Sequence, residues 1–387
     1  MKILVTGGLG YIGSHTVTAL CEAGHEVVII DDLSNSNAEV HQALEELTGQ
    51  PITFYEVDIL DQSGLDAVFR NEGCMEGGGA TSVGQSTVRG TQSGAAGARG
   101  TADGFVSGHD AHPEQVGSDT GIQGIIHFAA KKSVPESLKQ PVTYFDNNIS
   151  GVVNLMRAVE RYAVPYLVFS SSCTVYGEPE VVPVTEATPT TRSMTPYGNS
   201  KLISEMMLDE FTRLTPTVST AILRYFNPVG AHPSAKIGEL PKGVPGNLMP
   251  FITQTAAGWR EKLKVFGSDY ETRDGTAIRD YIHVVDLAIA HVRALEWLST
   301  QGHVVDYFNL GTGNGHTVME VIESFERTTG VKLHYELAPR REGDIEKIWA
   351  VTDKAEQVLG WKAERPLDEM TSSAWKWQQT LTAPEAN

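Results

Sequence analysis

Apolar residues near the start of the chain fall into short runs separated by a stretch with helical periodicity. Lys2–Thr6 predicts a buried strand, and Ile12, Val17 and Leu20 recur at the spacing of one helix face. Residues 26–30 form a second apolar run, which predicts another strand. The start of the chain therefore predicts a strand–helix–strand unit.

The same alternation continues through the first half of the chain. Strands rich in Val, Ile and Leu that alternate with helices are typical of a parallel sheet covered on both faces. We therefore predict an α/β fold, a Rossmann-type doubly wound parallel sheet. The further elements predicted are helices at 38–47 and 65–70 and strands at 52–57, 124–129, 166–171 and 220–225.

Beyond Asn227 the alternation loosens into Pro/Gly-rich loops mixed with helices. This change predicts a smaller mixed α/β domain that follows the first. The predicted division is a dinucleotide-binding domain at 1–226 and a substrate-binding domain at 227–387.

One segment, residues 74–121, breaks the pattern. It has no periodicity, and it holds 12 of the 38 glycines of the chain. Such a composition cannot bury enough apolar surface to offset its conformational entropy, which predicts a disordered insertion. It joins a predicted helix to a predicted strand, so it should lie at the amino edge of the sheet, whereas ligands bind at the carboxyl edge.

Composition and charge exclude several classes of function. The net charge of −18 argues against binding to nucleic acid or to an anionic membrane, because both require a basic surface. The three cysteines have no metal-ligand spacing, so we expect reduced thiols and no metal site. With neither a signal-peptide pattern nor an apolar run long enough to span a bilayer, the chain is expected to be cytoplasmic.

A glycine-rich turn follows the first predicted strand. Gly7, Gly10 and Gly13 suit a tight turn, close approach of a pyrophosphate and close packing of helix on strand. The following helix would place its free N–H groups at the phosphates. Asp31 ends the second strand, where an acid suits the ribose hydroxyls, and Asp31 with Asp32 would repel a 2′-phosphate. The pattern predicts NAD rather than NADP.

Candidate catalytic residues follow in a later helix. Tyr197 and Lys201 are four residues apart, so they share one helix face. A nearby ammonium and an oxidised nicotinamide both favour the phenolate of a tyrosine. Ser170, Ser171 and Ser172 lie just past an apolar strand, where a hydroxyl could share a proton with Tyr197. The pattern predicts proton and hydride transfer beside the nucleotide.

At this point the chain resembles a known family: the extended short-chain dehydrogenase/reductases, and within them the UDP-glucose (UDP-galactose) 4-epimerases. The resemblance covers the chain outside the insertion, and without those 48 residues the 339 that remain are a length typical of the family. The motifs that carry it are residues 6–16, 31–36, 58–59, 127–129, 146–148, 170–177 (SSSCTVYG), 196–201, 223–233 (LRYFNPVGAHP), 247–250, 279–283 and 338–344 (APRREGD).

The resemblance implies a bound NAD and a UDP-hexose substrate. The residues that would contact NAD are Gly7, Gly10, Tyr11, Ile12, Gly13, Asp31, Asp32, Leu33, Ser34, Asn35, Ser36, Asp58, Ile59, Phe128, Ala129, Lys132, Asn147, Ser172, Tyr197, Lys201 and Phe226. The residues that would contact the UDP-sugar are Ser172, Tyr197, Asn227, Asn247, Leu248, Val265, Phe266, Arg279, Arg341, Asp344 and Ile348, with the uracil near Val265 and Phe266. Asp344 either touches the substrate or orients Arg341.

The activity that the resemblance implies belongs to galactose metabolism: inversion at C4 of UDP-galactose and UDP-glucose through a 4-keto sugar. A homodimer is implied as well. Bacterial members often carry tyrosine where this chain has Ile348, and those that accept N-acetylated sugars carry a smaller residue. We therefore expect some tolerance of UDP-N-acetylglucosamine.

Two alternatives share this fold. A nucleotide-sugar 4,6-dehydratase needs an acid and a base beside the catalytic hydroxyl, but Ser172 is followed by Cys173 and Thr174. A non-catalytic NAD-sensing regulator would tend to lose the Tyr/Lys pair, which this chain keeps. Conversion of UDP-galactose separates all three.

Overall fold

A computed structural model describes residues 1–77, 121–341 and 343–383. Seven strands of these described ranges form one parallel sheet in the order β3-β2-β1-β4-β5-β6-β10. The strands are β1 (Lys2–Thr6), β2 (Glu26–Asp31), β3 (Thr53–Glu56), β4 (Gly124–His127), β5 (Tyr166–Ser172), β6 (Ser219–Tyr225), β7 (Asn227–Val229), β8 (Leu263–Phe266), β9 (Ile278–His283), β10 (Val305–Leu310), β11 (Gly315–Thr317), β12 (Tyr335–Ala338) and β13 (Lys347–Ile348).

Helices cover both faces of this sheet, which confirms the predicted doubly wound fold. The α-helices are α1 (Tyr11–Glu22), α2 (Glu39–Thr48), α3 (Gln62–Asn71), α4 (Val134–Lys139), α5 (Pro141–Phe145), α6 (Gly151–Arg161), α7 (Pro196–Leu214), α8 (Leu248–Ala256), α9 (Val284–Thr300), α10 (Val318–Thr329), α11 (Asp353–Leu359) and α12 (Leu367–Gln378). A short π-helix (Asp146–Ser150) precedes α6, and a short 3-10 helix (Cys173–Tyr176) follows β5. In the described part of the chain, no helix combines the length and the apolar character needed to cross a membrane.

The central strand shows why the sheet is buried on both faces. Ile3 and Val5 of β1 pack in one apolar cluster with side chains of α1, α2 and α9. Leu4 points the other way and packs with α3, α6 and α7. All three residues are fully buried, as a continuous apolar strand in a parallel sheet requires.

A cleft opens where the strand order reverses, between β1 and β4. Successive strands lie on one side of β1 and then on the other, so their connecting loops diverge at the carboxyl ends. The Thr6 hydroxyl and His127 Nδ1, at the ends of these two strands, lie 2.7 Å apart. The fold therefore places a ligand site at the carboxyl edge of the sheet.

The later part of the chain forms a smaller unit around β7, β9, β11 and β13, with β8 and β12 paired beside it. The predicted boundary at residue 226 does not separate the two units cleanly. β10 pairs with β6 in the large sheet, and α9 packs on α1. The sequence could not reveal the pairing of β10 with β6, because β10 is a short apolar run and its partner strand lies some eighty residues earlier in the chain.

The predicted insertion falls mostly on residues 78–120, which lie outside the described residues. Its two ends meet beside the start of β1. The amide of Ile122 donates to Cys74 Sγ (3.2 Å), and the amide of Gln123 donates to the Lys2 carbonyl (2.9 Å). The segment therefore leaves and re-enters the fold at the amino edge, as expected, away from the cleft.

Candidate active site

The glycine turn between β1 and α1 forms one wall of the cleft. A Cβ on Gly13 would lie 2.2 Å from the Gly7 carbonyl oxygen, and Gly7 itself has φ +68°. Gly10 caps α1 without a side-chain hydrogen bond, and the first turn of this fully described helix holds no acid. Free N–H groups and the positive end of the helix dipole therefore face the cleft, which fits the pyrophosphate of a dinucleotide.

Asp31 lies at the carboxyl end of β2 and is 7% exposed. Its carboxylate accepts hydrogen bonds from the amides of Leu9 and Leu33 (both 3.0 Å) and from the Ser36 hydroxyl (2.6 Å). Burial raises its pKa, and these hydrogen bonds oppose the rise. The three partners fix the carboxylate in the cavity wall, where a ribose diol would meet it.

The candidate catalytic residues converge at the ends of β5 and α7. The hydroxyl of Thr195 caps α7 by accepting the Gly198 amide (3.2 Å), so Tyr197 and Lys201 fall in the first two turns. Lys201 Nζ donates to the Ser170 carbonyl (2.7 Å) at the end of β5. The structure thus brings Tyr197 and Lys201 to the same cavity wall as Ser172.

Burial is the largest influence on the pKa values of Tyr197 and Lys201. It raises the pKa of Tyr197 to about 12, and the nearby Ser172 hydroxyl lowers it. Burial also lowers the pKa of Lys201 to about 7, against the field of Glu205, which raises it. Burial therefore opposes both the phenolate of Tyr197 and the ammonium of Lys201, and the effect of Lys201 on the pKa of Tyr197 stays a prediction.

Two arginines, Arg279 and Arg341, line another part of the cavity wall. The Arg279 guanidinium donates to the carbonyls of Ile278 and Ile345 (both 2.8 Å), which fixes its plane. Arg341 donates to Asp344 through two nitrogens (2.7 and 3.1 Å). Of the two roles predicted for Asp344, the structure displays the orientation of Arg341. Two oriented guanidinium groups suit the bidentate binding of a diphosphate.

Most of the predicted residues line a single cavity of about 1100 Å³. The predicted residues in its wall are Gly7, Gly10, Tyr11, Ile12, Gly13, Asp31, Asp32, Ser34, Asn35, Ser36, Asp58, Ile59, Phe128, Ala129, Lys132, Asn147, Ser172, Tyr197, Lys201, Phe226, Asn227, Asn247, Arg279, Arg341, Asp344 and Ile348. Cofactor residues and substrate residues are therefore parts of one continuous site.

Four predicted residues do not line this cavity: Leu33, Leu248, Val265 and Phe266. Leu33 and Leu248 pack against two different apolar cores. Val265 is 1% exposed inside the core of the smaller unit, because alternate residues of β8 point inward. Phe266 points outward and is 39% exposed. The contact of Val265 and Phe266 with a uracil stays a prediction, as do the ligand contacts of Leu33 and Leu248.

Sequence reasoning missed Glu239, which joins the two sides of the cavity. One of its carboxylate oxygens accepts from Asn247 Nδ2 (2.7 Å) and from Lys132 Nζ (3.4 Å). Trp377 Nε1 donates to the Glu239 carbonyl (3.1 Å), and the Trp377 ring packs on Gly238. A single acid in a Gly/Pro-rich loop carries no spacing signal, so only the fold reveals it.

Ile348 closes the sugar end of the cavity. It is 1% exposed and packs against Val175, Tyr176 and Phe226, beside the end of β5. The branched side chain is shorter than tyrosine and carries no hydroxyl. The wall at this position is therefore apolar and is formed by a side chain smaller than a phenol ring.

Comparison with known proteins agrees with this geometry. The model of the NAD dependent epimerase/dehydratase family matches residues 3–93, and the model of the GDP-mannose 4,6 dehydratase family matches residues 111–374. The UDP-glucose 4-epimerase of Bacillus subtilis (strain 168) is 44% identical over 381 residues, which cover 98% of this chain and 97% of the relative.

The chain belongs to the UDP-glucose 4-epimerase family.

Solved members of the epimerase family share the whole fold. The UDP-glucose 4-epimerase of Stenotrophomonas maltophila, with bound NAD and formylated UDP-arabinopyranose, is 43% identical with a TM-score of 0.84. That of Bifidobacterium longum, in complex with NAD⁺ and UDP, is 37% identical with a TM-score of 0.83. Each match covers 98% of both chains. The recognition from sequence is confirmed, and the dehydratase and regulator alternatives are not favoured.

Proposed function

We propose that this chain interconverts UDP-galactose and UDP-glucose by inversion at C4, with NAD as its cofactor. The observation that carries the proposal is the convergence of Tyr197, Lys201 and Ser172 on a cavity that also holds the glycine turn and two arginines. When bound, NAD supplies a hydride acceptor and donor at C4, and its positive nicotinamide ring favours the phenolate. No net oxidation results, so the cofactor can stay in place.

The proposal assigns proton transfer and ligand binding to individual side chains of the cavity. Tyr197 takes the proton from the 4-hydroxyl, and Ser172, placed beside it, shares that proton. Lys201, anchored at the end of β5, holds the nicotinamide ribose. The 4-keto sugar would then present its opposite face, and Tyr197 would return the proton to its 4-oxygen as C4 is reduced again. The diphosphate is therefore held firmly by Arg279 and Arg341, while the sugar lies against an apolar wall that lets it turn.

A direct test is incubation of the purified protein with UDP-galactose, with no added reductant, and detection of UDP-glucose by NMR. The expected result is an equilibrium mixture reached from either sugar. Bound NAD without conversion of either UDP-hexose would contradict the proposal and favour the regulator. A 4-keto-6-deoxy product would favour the dehydratase.

The proposed division of labour assigns NAD binding to residues 1–226 and UDP-sugar binding to residues 227–387. The substrate residues of the second part, Asn247, Arg279 and Arg341, support it because they line the far side of the cavity. Limited proteolysis with and without UDP, read by mass spectrometry, should show protection concentrated beyond residue 227.

The proposed assembly is a homodimer of cytoplasmic chains. On α7, Met206 is 65% exposed and Ile203 is 38% exposed, and their spacing places both on one helix face. A second copy would cover this face. Met206→Glu should convert the dimer into a monomer in analytical ultracentrifugation, and cell fractionation tests the compartment.

A further inference from the structure

A buried ion pair lies behind the catalytic residues. Glu205 of α7 and Arg224 of β6 have side chains 3% and 6% exposed. Arg224 donates to both carboxylate oxygens, from Nε (3.0 Å) and from Nη2 (2.7 Å). The Ser171 hydroxyl donates to the same carboxylate. A charged pair removed from water is weak evidence for stability, because desolvation offsets its attraction, so its position calls for another explanation.

This pair connects every element that carries a catalytic group. Ser171 precedes Ser172 on β5, and it is the register partner of Arg224 on β6. Arg224 Nη1 also donates to the Tyr176 hydroxyl (3.1 Å), which is fixed in turn by Asn309 of β10 (2.6 Å). The carboxylate of Glu205 therefore fastens α7 to the strand whose end presents the catalytic serine.

Glu205 also stands one helical turn beyond Lys201, on the same face of α7. The other titratable groups near Lys201 are Tyr197, one turn earlier on the same helix, and His127 on β4, while Tyr225 on β6 lies beside Tyr197. Burial lowers the pKa of His127 to about 3, so this ring is neutral. Burial raises the pKa values of both tyrosines, so they are neutral too in the protein alone. Glu205, one helical turn away, is thus the acid whose field raises the pKa of Lys201.

We propose that Glu205 is a positioning residue for the epimerisation: its carboxylate keeps Lys201 charged and holds Tyr197 in register with Ser172. The inference rests on the proposed function, since it concerns the same three groups. Glu205 is not among the residues that line the cavity, and it acts through Lys201. Without its charge, the field that opposes the desolvation of Lys201 is lost.

The test compares two variants that break the same ion pair from opposite sides. Activity falls as pH rises through the pKa of Lys201, which sets the basic limb of the rate profile. In Glu205→Gln the anion is lost, so this limb should move to lower pH by about one unit. In Arg224→Met the carboxylate of Glu205 is kept, so the basic limb should not move to lower pH. Both variants are expected to lose stability.

A matched control is Asp286→Asn, far from the catalytic groups. Asp286 is another buried carboxylate in an ion pair, with Arg365, and its side chain is 2% exposed. It should lower the melting temperature and leave the basic limb in place. The double variant Glu205→Gln/Arg224→Met removes both charges, so it is expected to fold even where a single variant does not. The basic limb of its rate profile should again move to lower pH.

A second readout does not depend on turnover. The ¹³Cε resonance of Lys201, assigned by its absence in Lys201→Met, should titrate at lower pH in Glu205→Gln than in the parent protein. An unmoved titration and limb in the folded Glu205→Gln or double variant would overturn the proposal. Equal downward shifts in Arg224→Met or Asp286→Asn would overturn it too. An inactive parent protein would refute the proposed function, while the NMR titration still tests the role of Glu205.

Discussion

The two sides of the cavity are built in different ways. The proposed cofactor side comes from a contiguous glycine turn, the start of α1 and the end of β2. The proposed sugar side comes from side chains on separate segments, among them Asn247, Arg279, Arg341 and Ile348. At Gly13 of the first side a Cβ would collide with the backbone, whereas the second side is made of side chains that can change rotamer. This difference suits the proposed function, in which the cofactor stays and the sugar turns.

Removal of the proton acceptor should have the largest effect. Tyr197→Phe keeps the ring in the wall but deletes the hydroxyl, so kcat should fall by about 10²–10⁴-fold. Because the cofactor side is built separately, the variant should still purify with NAD. The measurement is turnover of UDP-galactose together with the NAD content of the protein. Near-normal turnover would remove Tyr197 from the chemistry.

A glycine variant on each side tests the contrast in rigidity. Gly13→Ala places a Cβ 2.2 Å from the Gly7 carbonyl oxygen, so α1 must move and bound NAD should fall at least about tenfold. Gly246→Ala, in a loop of the sugar side, meets no described atom within 4 Å. It should leave NAD content and turnover within about twofold of the parent values. Equal losses in both variants would contradict the contrast.

Residues on the cofactor side were predictable because their chemistry is local. Gly7 to Gly13 follow a strand and precede a helix, and Asp31 ends the next strand, so spacing alone placed them in one wall. Tyr197 and Lys201 were predictable for the same reason, since one helix face carries both. Local spacing also gave the doubly wound sheet.

Residues on the sugar side depend on tertiary packing, and there the predictions were weaker. The resemblance placed Val265 near the uracil, yet the pleat of β8 turns its side chain into the core. Glu239 reaches the cavity through a loop that has no regular spacing. The return of β10 to the large sheet was missed because strand pairing over such a separation leaves no local pattern. The burial of Tyr197 and Lys201 likewise lay beyond the sequence, since no sequence pattern measures desolvation.

Neighbouring arginines provide a test of the sugar side alone. Arg341→Ala removes an oriented guanidinium from the wall, so KM for UDP-galactose should rise about tenfold while NAD content is unchanged. Arg340→Ala is the matched control. Arg340 is bound to Asp269 and lies outside the cavity wall, so its loss should leave KM unchanged. A similar rise in both variants would show that general charge, rather than the oriented group, binds the diphosphate.

The smallest effect on UDP-galactose itself should come from the apolar end of the sugar side. Ile348 is buried against Phe226 and Tyr176, so Ile348→Tyr must push a ring into space that the sugar uses. Turnover of UDP-galactose should change by only a few-fold, because part of the ring can extend along the cavity, while overpacking should lower the stability of the variant by about 1–3 kcal/mol. The parent protein should convert some UDP-N-acetylglucosamine, and the variant should lose that activity.

The ratio of kcat/KM for the N-acetylated and plain sugars measures this change, with Ile348→Val as the control that keeps the space. The ratio should fall in Ile348→Tyr and stay level in Ile348→Val. If the parent protein converts no UDP-N-acetylglucosamine at high enzyme concentration, the space beside Ile348 is not what admits an N-acetyl group.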